Sequence, residues 1–145
     1  MPLVEELSRE VEIKAAATEF YNIFTHHSFN LPNISQSIQK VEVHDSIKFW
    51  YYTVDGKAEI YKEREEFDDD NLLISMIGVG GDVFKYYKAF DVIFQVIPKG
   101  LKLSSVILRM KYGKLDHNSP DPDPDKYVEF LNNLIKDIGS HLKDK

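Results

Sequence analysis

The end of the chain restricts the possible folds more than any other stretch. From Asp125 to Leu142, the apolar residues Tyr127, Leu131, Leu134, Ile138 and Leu142 recur at steps of three and four. That spacing aligns side chains along one face of a helix. Phe130 and Ile135 widen the stripe, while Lys126, Glu129, Asn132, Asn133, Lys136, Asp137 and Ser140 fill the other side. Pro124 suits a first helical position, Asp123 or Asp125 can cap it, and Lys143 and Lys145 follow the last turn. A lone helix of this length is marginal in water. Burying its five large side chains is worth at most roughly 10 kcal/mol. The stripe therefore needs an equally long apolar surface to receive it.

The preceding residues read as that surface. Leu3 to Ile13 alternates, with Leu7, Arg9, Val11 and Ile13 opposed to Ser8, Glu10 and Glu12, as in a half-buried strand. Ala15 to Phe24 changes to a helical period through Ala16, Phe20, Ile23 and Phe24. The stretch from His26 to Pro32 breaks it, and Asn33 to Ser37 is expected to form a further turn or short helix. Ile38 to Val43 and Ile47 to Val54 are strands joined by only His44-Asp45-Ser46, hence an antiparallel hairpin. In the second of them Lys48, Trp50, Tyr52 and Val54 share one face, and Ile47, Phe49 and Tyr51 the other. Asp55-Gly56 turns into Ala58 to Phe67, with Tyr61, Glu63, Glu65 and Phe67 on one side. Asp68-Asp69-Asp70-Asn71 leads into Leu72 to Val79, after which Gly78, Gly80 and Gly81 are expected to turn the chain sharply. Phe84 to Ile97 opposes Phe90, Val92, Phe94 and Val96 to Asp91, Ile93 and Gln95. Pro98-Lys99-Gly100 leads to Leu103 to Tyr112, where Val106, Leu108, Met110 and Tyr112 share a face, and the irregular Asp116 to Asp123 precedes the final helix.

The expectation is a single α+β domain over residues 1–145, an antiparallel sheet covered by one long helix. Inward aromatics on a curved sheet leave two outcomes, a cavity under the helix or a filled core. The net charge of −6 argues against non-specific nucleic-acid binding. No apolar run is long enough for a membrane span, and no secretory signal is visible at the start. The absence of cysteine excludes disulfides and thiol catalysis and fits a reducing compartment.

Several motifs together resemble the plant major latex protein family, a branch of the Bet v I-like superfamily. They are Ser46 to Glu59, the run GGDVFKYYKAF from Gly80 to Phe90, Val96-Ile97-Pro98-Lys99 and Ser119-Pro120-Asp121-Pro122. The resemblance implies a seven-stranded antiparallel sheet gripping the C-terminal helix, with two short helices closing a V beneath it. It also implies a large internal cavity for apolar small molecules (steroid-, flavonoid- or alkaloid-like), a cytoplasmic location, and links to defence and stress responses. Some superfamily members catalyse steps of alkaloid biosynthesis. One departure is plain: the glycine-rich loop usual between the second and third strands is here only His44-Asp45-Ser46. Anion binding by loop N–H groups is therefore not carried over.

The expected ligand-facing residues are Arg9, Phe20, Trp50, Tyr52, Tyr61, Glu63, Leu73, Ser75, Phe90, Leu108, Met110, Tyr127, Leu131 and Leu134, with core packing as the rival role of each. Arg9, Glu63 and Glu65 stand out as charges on otherwise apolar faces, and Arg9 is expected to pair with one of the two glutamates or with the anionic group of a bound ligand. No metal or cofactor is expected. His26-His27 lacks ligand spacing, Asp68-Asp69-Asp70 lacks a calcium-loop pattern, and Gly78-Val79-Gly80-Gly81 lacks the lysine of a phosphate loop. The chain thus reads as a binder of hydrophobic small molecules. The alternatives are an enzyme of specialised metabolism using the same cavity through Glu63 or a tyrosine, and a protein acting as a homodimer through Ile47, Phe49 and Tyr51. The expected state is a monomer or weak homodimer.

Overall fold

The computed structural model describes residues 4–115 and 123–145. The Ser119-Pro120-Asp121-Pro122 motif, His117 and most of the irregular stretch before the last helix lie outside the described residues. The elements are β1 (Val4–Ile13), α1 (Ala17–His26), β2 (Ile38–His44), β3 (Ile47–Val54), β4 (Lys57–Asp68), β5 (Leu73–Gly81), β6 (Tyr87–Gly100), β7 (Leu103–Lys114) and α2 (Pro124–Lys143). Short 3₁₀ turns occupy Ser28–Asn33 and Asp82–Lys85. The first 3₁₀ turn accommodates Pro32, and the turn expected within Asn33 to Ser37 follows it, closed by the Ile38 N–H donating to the Ser35 carbonyl at 3.2 Å.

The seven strands among the described residues form one sheet in the order β1-β7-β6-β5-β4-β3-β2, every pair antiparallel. Strands β2 to β7 follow one another as hairpins, and only β1 is displaced, to the far side of β7. α1 and the first 3₁₀ turn therefore carry the chain from one edge of the sheet to the other, passing beneath it. The tight turns hold their shape without many glycines: Asp45 and Ser46 have φ of 51° and 69°, and Asp55 and Gly56 have 49° and 77°. Paired positive φ values suit the twist of a two-residue hairpin.

α2 starts as the sequence suggests, with the Asp123 carboxylate accepting from the N–H of Asp125 at 3.0 Å and Pro124 in the first turn. Its buried stripe is Tyr127, Val128, Leu131, Leu134, Ile135, Ile138 and Leu142. Gly139 belongs to the same face for a steric reason: a Cβ there would lie 2.8 Å from Ile13 Cγ2 and 3.1 Å from Ile13 Cβ. The helix rests on β1 backbone-close at this point.

One strand is offset by a residue from its sequence reading. Leu72 adopts φ of 49°, a conformation uncommon for leucine. After it, Ile74 and Met76 point inward, opposite Phe94 and Val92. Leu73 and Ser75, expected to face a ligand, pair with Gln95 and Ile93 and lie on the outer face. A period of two makes any such offset reverse every side chain. β5 also runs on through Gly78 and Gly80 to Gly81, so the expected sharp turn comes only at its end.

The close seat of Gly139 gives a direct check of the helix position. Gly139→Val should cost about 2 kcal/mol or more, measured by urea unfolding, because Ile13 offers no flexible end to move aside. An unchanged midpoint would place α2 farther from β1.

Candidate functional site: an apolar cavity with charged margins

A cavity of about 60 Å³ lies between α2 and the middle of the sheet. Trp50 and Tyr52 of β3, Tyr61 of β4, and Phe90 of β6 form its floor, with Tyr127, Leu131 and Leu134 of α2 above. These seven were expected from sequence. Phe24, Ile38, Met76, Val92 and Phe130 complete the lining. Val92 shares the alternating face of Phe90 and Phe130 the edge of the helical stripe, so both were legible. Met76 was hidden by the offset at Leu72.

The other expected residues lie elsewhere. Phe20 is buried between Phe24 and Phe94, at ring separations of 5.5 and 6.2 Å, and outside the lining. Leu108 and Met110 are fully buried on β7 but form packed core rather than cavity wall. The large cavity implied by the family resemblance is contracted here, because aromatic rings occupy the concavity. Phe24 meets Phe94 at 5.3 Å, Tyr87 meets Phe90 at 5.2 Å, and Tyr52 meets Phe130 at 5.2 Å. Pockets for drug-sized ligands are commonly about 300–1,000 Å³.

Three phenol groups border the cavity, and each hydroxyl is engaged. Tyr52 donates to Glu59 Oε1 at 2.9 Å, and Tyr127 reaches both oxygens of the same carboxylate at 3.2 and 3.1 Å. This ties the first turn of α2 to β3 and β4. The Tyr61 hydroxyl reaches the carbonyls of Phe90, at 2.8 Å, and Met76, at 3.1 Å. Gly78 makes room for it: a Cβ there would fall 2.2 Å from the Phe90 oxygen and 2.9 Å from the hydroxyl. Burial first, and then the charge of Glu59 for Tyr52 and Tyr127 or of Glu63 for Tyr61, pushes all three phenols up, so they remain protonated donors.

Beyond Tyr61 along the same face of β4 lies a second polar group. Glu63 is fully buried and accepts from the Trp50 indole N–H at 2.6 Å. Glu65 binds Lys48 Nζ at 2.5 Å, and that ammonium also donates to Ser28 Oγ at 2.8 Å. Desolvation, reinforced by the neighbouring Glu65 charge, pushes the Glu63 carboxyl up to about 9. The expected partner of these glutamates is not Arg9. β1 and β4 are separated by β7, β6 and β5, four strand spacings or roughly 19 Å. Arg9 does share the inward face, opposite Leu108. At an edge strand, however, its long stem lets the guanidinium reach out to Asp125 Oδ1 at 4.0 Å and donate to the Ser8 carbonyl at 2.8 Å. The cation that Glu65 uses comes instead from Lys48, whose place on the Trp50 face was visible in the sequence.

His26, His27 and His44 are exposed, and no group of metal-ligating side chains is assembled among the described residues. No helix among the described residues is long and apolar enough to cross a membrane.

The protonation of Glu63 has a measurable consequence. Its folded value is raised above the ordinary 4.5, so the folded state holds an extra proton between about pH 4.5 and about 9. Stability from this source is complete below that window and is lost as pH rises through it, at no more than about 1.4 kcal/mol per pH unit. Glu63→Gln keeps the shape and the acceptor for Trp50 but cannot titrate. Its urea midpoint should fall less than that of the wild type between pH 6 and pH 8. Identical slopes would show that Glu63 does not change charge on unfolding.

This geometry can be set beside known proteins. The profile of the pathogenesis-related protein Bet v 1 family matches residues 2–145. MLP-like protein 328 of Arabidopsis thaliana is 34% identical over 141 residues, covering 92% of both chains. Major latex protein 146 of Papaver somniferum is 30% identical, covering 97% of this chain and 92% of that protein. The crystal structure of major latex-like protein 151 from Panax ginseng superposes with a TM-score of 0.88 at 27% identity, over 97% of this chain and 98% of the ginseng one. A sheet gripping a C-terminal helix, an apolar space between them and sequence likeness along nearly the whole chain agree: this protein belongs to the Bet v 1 family, on its major latex protein branch.

Proposed function

We propose that the protein binds small apolar molecules between α2 and the concave sheet and carries or stores them without altering them. The lining supports this reading: aromatic and aliphatic side chains meet there, and the bordering hydroxyls of Tyr52, Tyr61 and Tyr127 are already committed to Glu59 or to backbone carbonyls. Such a surface gains free energy by shedding water and favours no particular reaction. Steroid-, flavonoid- or alkaloid-like scaffolds exceed the present space, so their entry requires the half-buried Phe130 and the Tyr127 end of α2 to move. We place this activity in the plant cytoplasm, in defence or stress responses. Its support is the plant origin of the relatives, the family's description as pathogenesis-related, and the absence of cysteine.

The outer face of β3 supports a monomeric carrier. Ile47, Phe49 and Tyr51 are half-buried there, with Lys62 Nζ 4.9 Å from the Phe49 ring centroid and Lys40 Nζ 5.6 Å from that of Tyr51. Lysines over the rings cover the apolar surface that a dimer would need.

Trp50 is the chain's single tryptophan and lines the cavity, which makes it a built-in reporter. The uncharged dye N-phenyl-1-naphthylamine should bind at micromolar level, about 8 kcal/mol, and quench Trp50 emission. Leu134→Trp should fill the space and weaken the dye at least tenfold while changing stability by less than about 1.5 kcal/mol. A loss of about 3 kcal/mol with dye affinity unchanged would mean a solid core and a different binding place.

A further inference from the structure

Away from the cavity, β1, the β6–β7 hairpin and the C-terminal part of α2 end together on one side of the molecule. Tyr127 fixes the start of α2 at the opposite end of the sheet, on Glu59 beside the β3–β4 turn. Gly139 lies over Ile13, the last residue of β1, and Ile13 pairs with Ser104 of β7. From there the hairpin continues outward through the pair Gly100–Leu103 to a two-residue loop, Leu101-Lys102. Such loops usually carry Gly, Asn or Asp. Leu101 instead stands 94% exposed at the apex, against 60% for Phe29, the next most exposed large apolar side chain among the described residues.

Lysines surround this leucine. Lys99 and Lys102 flank the apex in sequence, and Lys14 follows Ile13. α2 adds Lys136 and Lys143, two turns apart on one face with Ser140 between them. Lys14, Lys136, Ser140 and Lys143 line one groove of about 270 Å³, with Glu12 as its acidic member. None of these five lysines forms an ion pair among the described residues, whereas Arg9, Lys40, Lys48, Arg64 and Lys85 all do. A chain of net charge −6 thus gathers unpaired cations round its most exposed apolar side chain. The acidic turn at Asp68-Asp69-Asp70 belongs to the same end but lies farther back. The Leu72 carbonyl accepts from the Val96 N–H, and Leu101 is five residues past Val96, up to roughly 16 Å. Asp68 and Asp69 are also engaged, by Asn71 and by the Tyr21 hydroxyl.

We propose that this end of the molecule docks on an anionic lipid bilayer, with Leu101 entering the headgroup region and the lysines meeting the lipids' negative groups. The inference goes beyond the carrier function, since none of these residues lines the cavity. A bilayer fits the surface better than a protein partner does. One apolar side chain on a protruding tip needs a soft surface to enter, and lysines act as point charges that demand no fixed geometry. The charges are complementary as well: a cytoplasmic leaflet is negative, and each lysine close to it is worth about fivefold in partitioning. A single apolar residue with five cations gives reversible attachment rather than an anchor.

The test is co-sedimentation of the full chain with vesicles of phosphatidylcholine alone or with one third phosphatidylserine. Binding to the anionic vesicles should be at least tenfold tighter, and about 0.5 M sodium chloride should release the protein. Leu101→Ser should lower partitioning about tenfold, and Lys99→Gln combined with Lys102→Gln about 25-fold. Both variants change exposed loop residues, so their thermal unfolding should match that of the wild type. The chain has no cysteine, so one introduced thiol takes an environment-sensitive nitrobenzoxadiazole label at a chosen place. The label on Leu101→Cys should brighten and shift to the blue with anionic vesicles. The label on Lys88→Cys, exposed at the opposite end of β6, should not respond. Binding to neither kind of vesicle, equal binding to both, variants that partition like the wild type, or equal responses of the two labels would overturn the docking surface. So would release from the vesicles by millimolar glycerophosphoserine, which would make the groove a site for a soluble anion. The comparison of vesicles uses the wild-type chain, so it decides the question even where a variant misfolds.

Discussion

The structure depends on one long apolar contact, the stripe of α2 against the concave face of a single antiparallel sheet. Neither partner is stable alone. The helix draws its stability from packing its apolar stripe, and without it the sheet would expose Phe90, Val92, Phe94, Val106, Leu108 and Met110. The contact also fixes the place of everything else. Gly139 lets the helix approach Ile13 closely, and Tyr127 anchors the opposite end to Glu59. The cavity is what remains between these two attachments, where side chains from β3, β4 and β6 meet those of the helix without filling the space completely.

Polar chemistry is confined to the margins of that space, and each margin solves the same problem differently. At one side two phenols neutralise the cost of burying Glu59 by donating to it. At the other, Lys48 and Trp50 hold one oxygen each of Glu65 and Glu63, and a proton makes up the remaining charge. Replacing a buried ionic group by apolar residues is often neutral or stabilising. The tyrosines, by contrast, serve the frame: Tyr61 closes the gap between β5 and β6 at Gly78.

Membership of the Bet v 1 family accounts for the architecture, while this chain's own features set its limits. The β2–β3 connection is a two-residue turn, Asp45-Ser46, in place of a glycine-rich loop. The concavity is packed with aromatic rings, which leave only a small space between the sheet and α2.

Much of this was legible in the residues themselves. Local periodicity gave α2, with Asp123 or Asp125 as its cap, and short turns such as Asp55-Gly56 gave the chain of hairpins. The inward faces of β3, β4 and β6 followed from alternation, which is why Trp50, Tyr52, Tyr61 and Phe90 are legible from the sequence as residues under the helix. Alternation could not see that Leu72 takes a left-handed conformation, so Leu73 and Ser75 exchanged faces with Ile74 and Met76. Nor could it tell how far apart two inward charges stand. Arg9 and Glu63 share a face but are separated by three intervening strands, and strand order is set by long-range pairing that no short window of sequence contains. The sequence by itself determined which residues of α2, β3, β4 and β6 face inward, because backbone geometry has a fixed period. Only the tertiary structure decided which of them touch, how much space they leave, and which charges meet, because these depend on packing across the whole sheet.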